Sequence, residues 1–318
     1  MRSIISFAPL FGLALLLSAC SSGSQISPPA PAPQQQAQTG GAVPMDGQHI
    51  FYPMVGQIRT NERIRRTTNL AYNGGPVMTD PKVYVVYWGW TSDPNGEAPY
   101  LNAFLGNVGG SSWMNITTQY CSGVATGSTS CGSGGDHITN SSGLLGGTWT
   151  DTGNAIPSHP TDSAIAQEAV NAANHFGLTG NSGASGNNVM IIVATPHGNS
   201  TRGFGTQWCA YHSYATTNSG ALAYTNLPYQ TDAGTSCGAN FDGLQPGLLD
   251  GVSIVGGHET AEAITDPYPS SGWLDGSGSE IGDKCAWSTA STDITLGGSS
   301  YAVQPLWSNA VSGCATSY

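Results

Sequence analysis

Two short apolar segments constrain the fold of this chain more than any other feature of its sequence. Residues 82–90 (KVYVVYWGW) and 188–195 (NVMIIVAT) are rich in β-branched and aromatic residues and are bounded by turn-forming residues. Each predicts a strand that is buried on both faces. A helical pattern at residues 162–176 lies between them. Strand, helix and strand in this order predict a parallel pair joined by a right-handed crossover.

The other predicted elements are shorter or less regular. Helices are expected at residues 99–106, 112–120 and 248–265, a short strand near 147–150, and one or two strands between 299 and 314. Residues 205–245 show no clear period and are predicted to be mostly irregular. The predicted fold class is α/β: a mixed, partly parallel sheet with flanking helices and long loops pinned by disulfides.

Six cysteines follow Cys20, an even number that in an exported chain predicts three disulfides and an oxidising compartment. Six cysteines allow fifteen pairings, and the first choice is to pair neighbours in sequence. The expected bridges are Cys121 with Cys131, Cys209 with Cys237, and Cys285 with Cys314. A zinc–thiolate site is the alternative, although the chain has no Cys-x-x-Cys spacing.

The N-terminus predicts export. Residues 1–20 combine a basic start, an apolar run and the sequence Leu-Ser-Ala-Cys, which is typical of a bacterial lipoprotein signal with Cys20 as the lipidated residue. A simple secretory signal is the alternative. Residues 21–48 are rich in Pro, Gln, Ser and Gly and predict a flexible tether, so that residues 49–318 form a single folded domain. The lipid anchor is the only membrane attachment expected.

The charge balance excludes one class of partner. The chain has 19 acidic and 8 basic residues, and four of the basic residues fall between positions 59 and 66. No basic patch with interleaved aromatic residues follows, which argues against nucleic-acid binding. Because of this local basicity, residues 49–66 are a candidate pro-segment.

The segment GGHETAEAITDP at residues 256–267 carries the clearest chemical signal. In a helix, His258 and Glu262 are one turn apart on the same face, and Glu259 lies roughly 100° around from His258. Two ligands at i and i+4 with a neighbouring carboxylate as general base are the pattern of a zincin-like active-site helix. The difference is that the second ligand position holds Glu, where the usual motif has His.

A third ligand is expected from the loop after this helix. Glu280 and Asp283 are the candidates, because a loop ending near Cys285 can fold back under the helix. Asp266 is closer in sequence, but Pro267 biases it away from helical geometry. Zinc accepts such mixed nitrogen and oxygen ligands. The sequence therefore predicts zinc bound by His258, Glu262 and either Glu280 or Asp283, with Glu259 as the catalytic base.

Three alternatives remain open at this point. The helix periodicity places Ile254, Ala261 and Ile264 toward the core and His258 and Glu262 on the opposite side, so the polar residues also fit a solvated helix face.

The acidic residues also fit a calcium or purely structural site that leaves His258 unused. Residues 234–238 match the Gly-x-Ser-x-Gly motif of serine hydrolases, without the preceding strand that motif requires. His197 and His212 are candidates for an additional ligand or base.

Several segments together resemble the phosphate-induced, exordium-like proteins, which are known chiefly from plants. The matching segments, in order, are Leu70-Ala71-Tyr72-Asn73-Gly74-Gly75-Pro76, Tyr87-Trp88-Gly89, Ser111-Ser112-Trp113, Cys209-Ala210-Tyr211-His212, Thr265-Asp266-Pro267 and the closing stretch 306–314. The resemblance covers most of the chain from about residue 68 and implies an extracellular fold linked to growth and cell walls, without an established catalytic activity. It does not carry over a metal site. The chain looks like a bacterial branch of that family whose helix is similar to that of zinc peptidases.

Two functions are therefore expected. The first is a zinc-dependent hydrolase, a metallopeptidase that is secreted or anchored in the cell envelope and acts on a peptide or protein substrate. The second is a non-catalytic exordium-like protein that binds the envelope or wall and whose acidic cluster is structural.

Overall fold

This computed structural model describes residues 43–44, 50–53, 68–178, 188–241, 245, 247–288 and 292–318. The signal segment, Cys20 and most of the predicted tether lie outside these residues. The strands in chain order are β1 (Val43–Pro44), β2 (Ile50–Pro53), β3 (Ala71–Tyr72), β4 (Lys82–Trp88), β5 (Cys121–Ser122), β6 (Asp136–His137), β7 (Leu145–Asp151), β8 (Val189–Ala194), β9 (Trp208–Thr217), β10 (Gly220–Leu227), β11 (Trp273–Leu274), β12 (Thr292–Leu296), β13 (Ser299–Val303), β14 (Leu306–Ser308) and β15 (Gly313–Ala315). The α-helices of the described chain are α1 (Glu97–Val108), α2 (Asp162–His175) and α3 (Asp250–Thr265).

The main sheet is mixed, as predicted. Its order is β1-β9-β10-β8-β4-β7, and β2 also pairs with β9. Strands β7, β4, β8 and β10 are parallel to one another, whereas β9 runs antiparallel to β10. The predicted parallel pair is confirmed, since Tyr84 of β4 lies opposite Ile191 of β8. Val43–Pro44 falls within the segment assigned to the tether, and it pairs antiparallel with β9.

Both faces of this sheet are covered, which gives three layers. Successive residues of β4 belong to different hydrophobic clusters. Val85 packs in the cluster that includes residues of α1 and α3, and Val86 packs in the cluster that includes residues of α2. This arrangement explains why residues 82–90 are apolar on both faces, because a strand between two helical layers has no solvent side. Helix α2 begins at its cap residue Thr161, whose side chain accepts the backbone N–H of Ala164.

Helix α3 is buried on every side, so the predicted division into a core face and a polar face is wrong. All of its residues from Asp250 to Thr265 are buried. Two glycines let neighbouring side chains approach closely: a Cβ on Gly257 would lie 3.1 Å from both Phe104 and Trp113. The helix ends before Pro267, as the sequence predicts. The polar residues of α3 must therefore find partners inside the protein.

The prediction for residues 205–245 is also wrong. Strands β9 and β10 form a hairpin in that region, with Tyr224 opposite Ser213 and Thr225 opposite His212. Buried polar residues such as Ser213 and Asn226 interrupt the apolar pattern, so no period of two is visible in the sequence. The predicted helix at 112–120 is a six-residue 3₁₀ helix, Met114–Gln119.

Three disulfides join the predicted neighbours. Cys121 is bonded to Cys131, Cys209 to Cys237, and Cys285 to Cys314. These bridges indicate an extracellular or otherwise oxidising environment. None of the described helices combines the length and apolar character that crossing a membrane requires.

Candidate metal centre

Helix α3 brings His258 and Glu262 together on one face. His258 Nε2 lies 2.9 Å from Glu262 Oε2, and both side chains are fully buried. Side chains four residues apart lie one above the other on the same face of a helix, which accounts for this contact. The sequence argument depended on these two groups facing the same point, and the geometry satisfies that condition.

The loop after α3 adds Asp283 to this pair. Asp283 Oδ1 lies 3.9 Å from His258 Nε2, and the Asp283 backbone N–H donates a hydrogen bond to Glu262 Oε1 at 3.0 Å. The carboxylate of Asp283 in turn accepts the backbone N–H of Glu280 at 3.2 Å. His258, Glu262 and Asp283 thus present ligand atoms within 4.8 Å of one another.

The other two candidates for third ligand have different positions. Asp266 accepts the backbone N–H groups of Ser270, Ser271 and Gly272, so its carboxylate shapes the turn that reverses the chain after α3. Glu280 contacts His212, with its Oε1 atom 3.5 Å from His212 Nε2. Of the three acids, Asp283 is the one that joins His258 and Glu262.

The loop that carries Asp283 is held from several sides. Lys284 Nζ forms a buried ion pair with Asp275 at 2.8 Å and lies 4.2 Å from the ring centroid of Trp307. The Trp307 backbone N–H donates to the Ile281 carbonyl at 2.8 Å, and the adjacent Cys285 is tied to the C-terminal strand by its disulfide. Asp283 is therefore positioned by a rigid framework, which a metal ligand needs.

His212 completes the cluster from the sheet. Its Nδ1 atom lies 3.3 Å from Glu259 Oε2 and 3.6 Å from Glu262 Oε2. His212, Glu259 and Glu262 form a second set of ligand atoms within 4.8 Å of one another. From the sequence, His212 was only a candidate for an additional ligand or base, because its strand was not recognised. Its position in a buried strand opposite the helix was the missing information.

Burial dominates the electrostatics of this cluster. It raises the pKa of Glu262 and of Asp283 to about 7, and it raises the pKa of Glu259 and Glu280 above their usual range. Burial lowers the pKa of His258.

For His212, burial lowers the pKa, but the carboxylates of Glu280 and Glu259 outweigh it, so the pKa is raised well above its usual value. Among the described residues, Glu259 Oε1 has no hydrogen-bond partner. Buried carboxylates are costly unless a cation or donors compensate them, and a metal ion would do so.

Access to the cluster is narrow. The side chains of His212, His258, Glu259, Glu262 and Glu280 are fully buried, whereas 17% of the Asp283 side chain is exposed. Solvent therefore reaches the cluster on the side of Asp283.

The serine-hydrolase alternative finds no support in the geometry. Gly234–Cys237 is a short 3₁₀ helix preceded by another, Gln230–Asp232, so no strand leads into Ser236 as the nucleophile elbow requires. His197, the other candidate histidine, lies on the surface beside Asp232.

Comparison of this chain with protein-family models, curated proteins and solved structures finds no match.

Proposed function

We propose that this protein is a zinc-dependent hydrolase that cleaves peptide bonds. The observation that carries the proposal is the 2.9 Å approach of His258 Nε2 to Glu262 Oε2, with Asp283 next to both. One imidazole and two carboxylates form a donor set that suits zinc, and three protein ligands leave a position for water. Bound zinc would polarise that water and lower its pKa toward about 7.

Glu259 is proposed as the general base. It follows His258 directly on α3, its Oε2 is oriented by His212 at 3.3 Å, and its Oε1 has no hydrogen-bond partner among the described residues. Burial raises the pKa of this carboxyl group, which brings it closer to the range in which a base exchanges protons near neutral pH. Two carboxylate ligands reduce the net charge at the metal, so the bound water is expected to be less acidic than in a site with two histidines.

The proposed setting is the bacterial cell envelope. The lipoprotein-like signal with Cys20 supports an anchored protein, and the three disulfides support an oxidising compartment. The substrate class that fits is a peptide or protein outside the cytosol.

One observation favours a second candidate function. The full burial of His212, His258 and Glu262 suits an internal cluster that stabilises the fold. The protein would then be a non-catalytic envelope or wall-binding protein of the exordium-like kind.

Metal content and peptide hydrolysis of three variants separate the two functions. His258→Ala is expected to lose bound zinc and hydrolysis of a quenched-fluorescent peptide library together. Glu259→Gln is expected to keep zinc at His258 and to lose hydrolysis by at least about 100-fold, the usual size of a general-base contribution. His159→Ala is the matched control, because this exposed histidine contacts only the Ser200 carbonyl in the described structure. Zinc binding without hydrolysis in the wild-type protein would support the structural role, and metal-free protein with unchanged stability in His258→Ala would refute the metal site.

A further inference from the structure

A single oxygen of Glu262 faces two imidazoles. Glu262 Oε2 lies 2.9 Å from His258 Nε2 and 3.6 Å from His212 Nδ1. The other oxygen, Oε1, accepts the backbone N–H of Asp283. Glu262 therefore belongs to both groups of potential ligands, and only one of these groups is used by the proposed hydrolase site.

The distances around His212 leave room for an ion between the side chains. His212 Nδ1 is 3.3 Å from Glu259 Oε2 and 3.6 Å from Glu262 Oε2. Two ligands bound at about 2.1 Å to a tetrahedral ion are separated by about 3.4 Å, which agrees with both distances.

The opposite side of the imidazole is arranged for the same role. His212 Nε2 lies 3.2 Å from the Asp266 carbonyl oxygen, which accepts a proton but donates none. An N–H at Nε2 leaves the Nδ1 lone pair directed at Glu259 and Glu262. A histidine ligand is commonly fixed in this way, with its remote N–H bonded to a carbonyl or carboxylate.

We propose that His212, Glu259 and Glu262 hold a second divalent cation, that Glu262 bridges the two ions, and that Glu259 binds through Oε2 while its Oε1 keeps the role of general base. This inference rests on the proposed function for the first ion at His258, Glu262 and Asp283. A mixed imidazole and carboxylate set selects a transition-metal ion such as Zn²⁺ or Mn²⁺. Two ions held by these residues would supply a clamp for the attacking and leaving oxygens of a substrate, and the protein would then act as a dinuclear metallohydrolase.

Metal stoichiometry tests this inference independently of activity. The metal-free full chain is titrated calorimetrically with Zn²⁺, and bound metal is counted after gel filtration. The wild-type protein is expected to bind two equivalents, His212→Ala one and Asp283→Asn one. Glu262→Gln is expected to weaken both sites by about 10- to 100-fold, because even the loss of a residue that only orients a metal ligand costs that much.

Two further variants serve as controls for the metal count. Glu259→Gln removes a ligand oxygen of the second ion with little change in volume, so it should bind one equivalent even where His212→Ala fails to fold. Glu168→Gln is the matched control, since Glu168 is another buried acid, on α2, and should leave two equivalents bound. With Mn²⁺, the wild-type protein should show an exchange-coupled electron paramagnetic resonance spectrum, and Glu259→Gln the spectrum of isolated ions.

The outcomes distinguish failure of this inference from failure of the proposed hydrolase site. If the wild-type protein binds one equivalent of zinc, and His212→Ala and Glu259→Gln both still bind it, the second ion is overturned and the first site stands. If the wild-type protein binds one equivalent that those two variants lose, and Asp283→Asn still binds it, the His212 site is supported and the site at Asp283 is overturned.

Discussion

Replacing Gly282 by Ala tests the geometry of the candidate metal centre with a single methyl group. A Cβ at this position would lie 2.4 Å from His258 Nδ1 and 2.6 Å from its Cε1. The backbone of Gly282 has φ −83° and ψ −44°, which any residue adopts, so the substitution introduces no backbone strain. Its effect is therefore confined to the contact with the imidazole ring.

The size of the effect follows from the overlap. Ordinary contacts of a Cβ begin at 3.4 Å, so the ring of His258 or the Gly282 backbone must move by about 1 Å. Metal–ligand distances tolerate only about 0.2 Å, and a misplacement of about 1 Å costs on the order of 100-fold in function. We expect zinc affinity to fall by about 100-fold, which corresponds to about 2.7 kcal/mol.

The assay is competition for zinc against a chromophoric chelator, together with urea unfolding of the metal-free protein. Gly276→Ala is the matched control: it lies in the same loop, and a Cβ there meets nothing within 4 Å. It should bind zinc as the wild-type protein does. A Gly282→Ala protein that binds zinc within about threefold of the wild type would show that His258 is not a ligand.

Two predictions concern the framework around the site. Burial raises the pKa of Glu97 from 4.5 to about 7. Its contribution to the unfolding free energy is therefore fully present below about pH 4.5 and is lost as the pH rises to about 7. Glu97→Gln should therefore flatten the decline in unfolding free energy by about 2–3 kcal/mol between pH 4.5 and 7.5, and an unchanged slope in urea unfolding would contradict this. Replacing Cys285 and Cys314 by Ser opens a loop of 29 residues and should lower the unfolding free energy by about 3–4 kcal/mol. Zinc affinity should fall in the same variant, because Cys285 holds the loop of Asp283; unchanged affinity would show that the rest of the loop suffices.

The parts of the fold that could be predicted are those in which local chemistry and tertiary context agree. Strands β4 and β8 lie between two helical layers, so their sequences are apolar throughout and easy to recognise. Helix α3 ends where Pro267 requires. Sequence neighbours form the disulfides because the chain turns back on itself between them.

The remainder depended on contacts between distant segments. The β9–β10 hairpin was missed because its buried positions include polar residues such as Ser213 and Thr225, and so was the place of His212 opposite Glu259. The choice of Asp283 over Glu280 also follows from tertiary structure. Asp266 accepts the Gly272 backbone N–H in the turn after α3, and the loop beyond that turn brings Asp283 Oδ1 to 3.9 Å from His258 Nε2.

The pairing of β2 with β9 has a consequence for shortening the chain. Ile50 lies opposite His212 in the register, so residues before the main body of the domain complete the sheet on which that histidine stands. A strand without its neighbour presents a row of unsatisfied backbone N–H and C=O groups, which invites pairing with another chain. A protein that begins at residue 54 would therefore leave an unpaired edge of β9, prone to aggregation, beside the candidate metal centre. A shortened protein intended for metal measurements should begin before Val43, upstream of both strands that pair with β9.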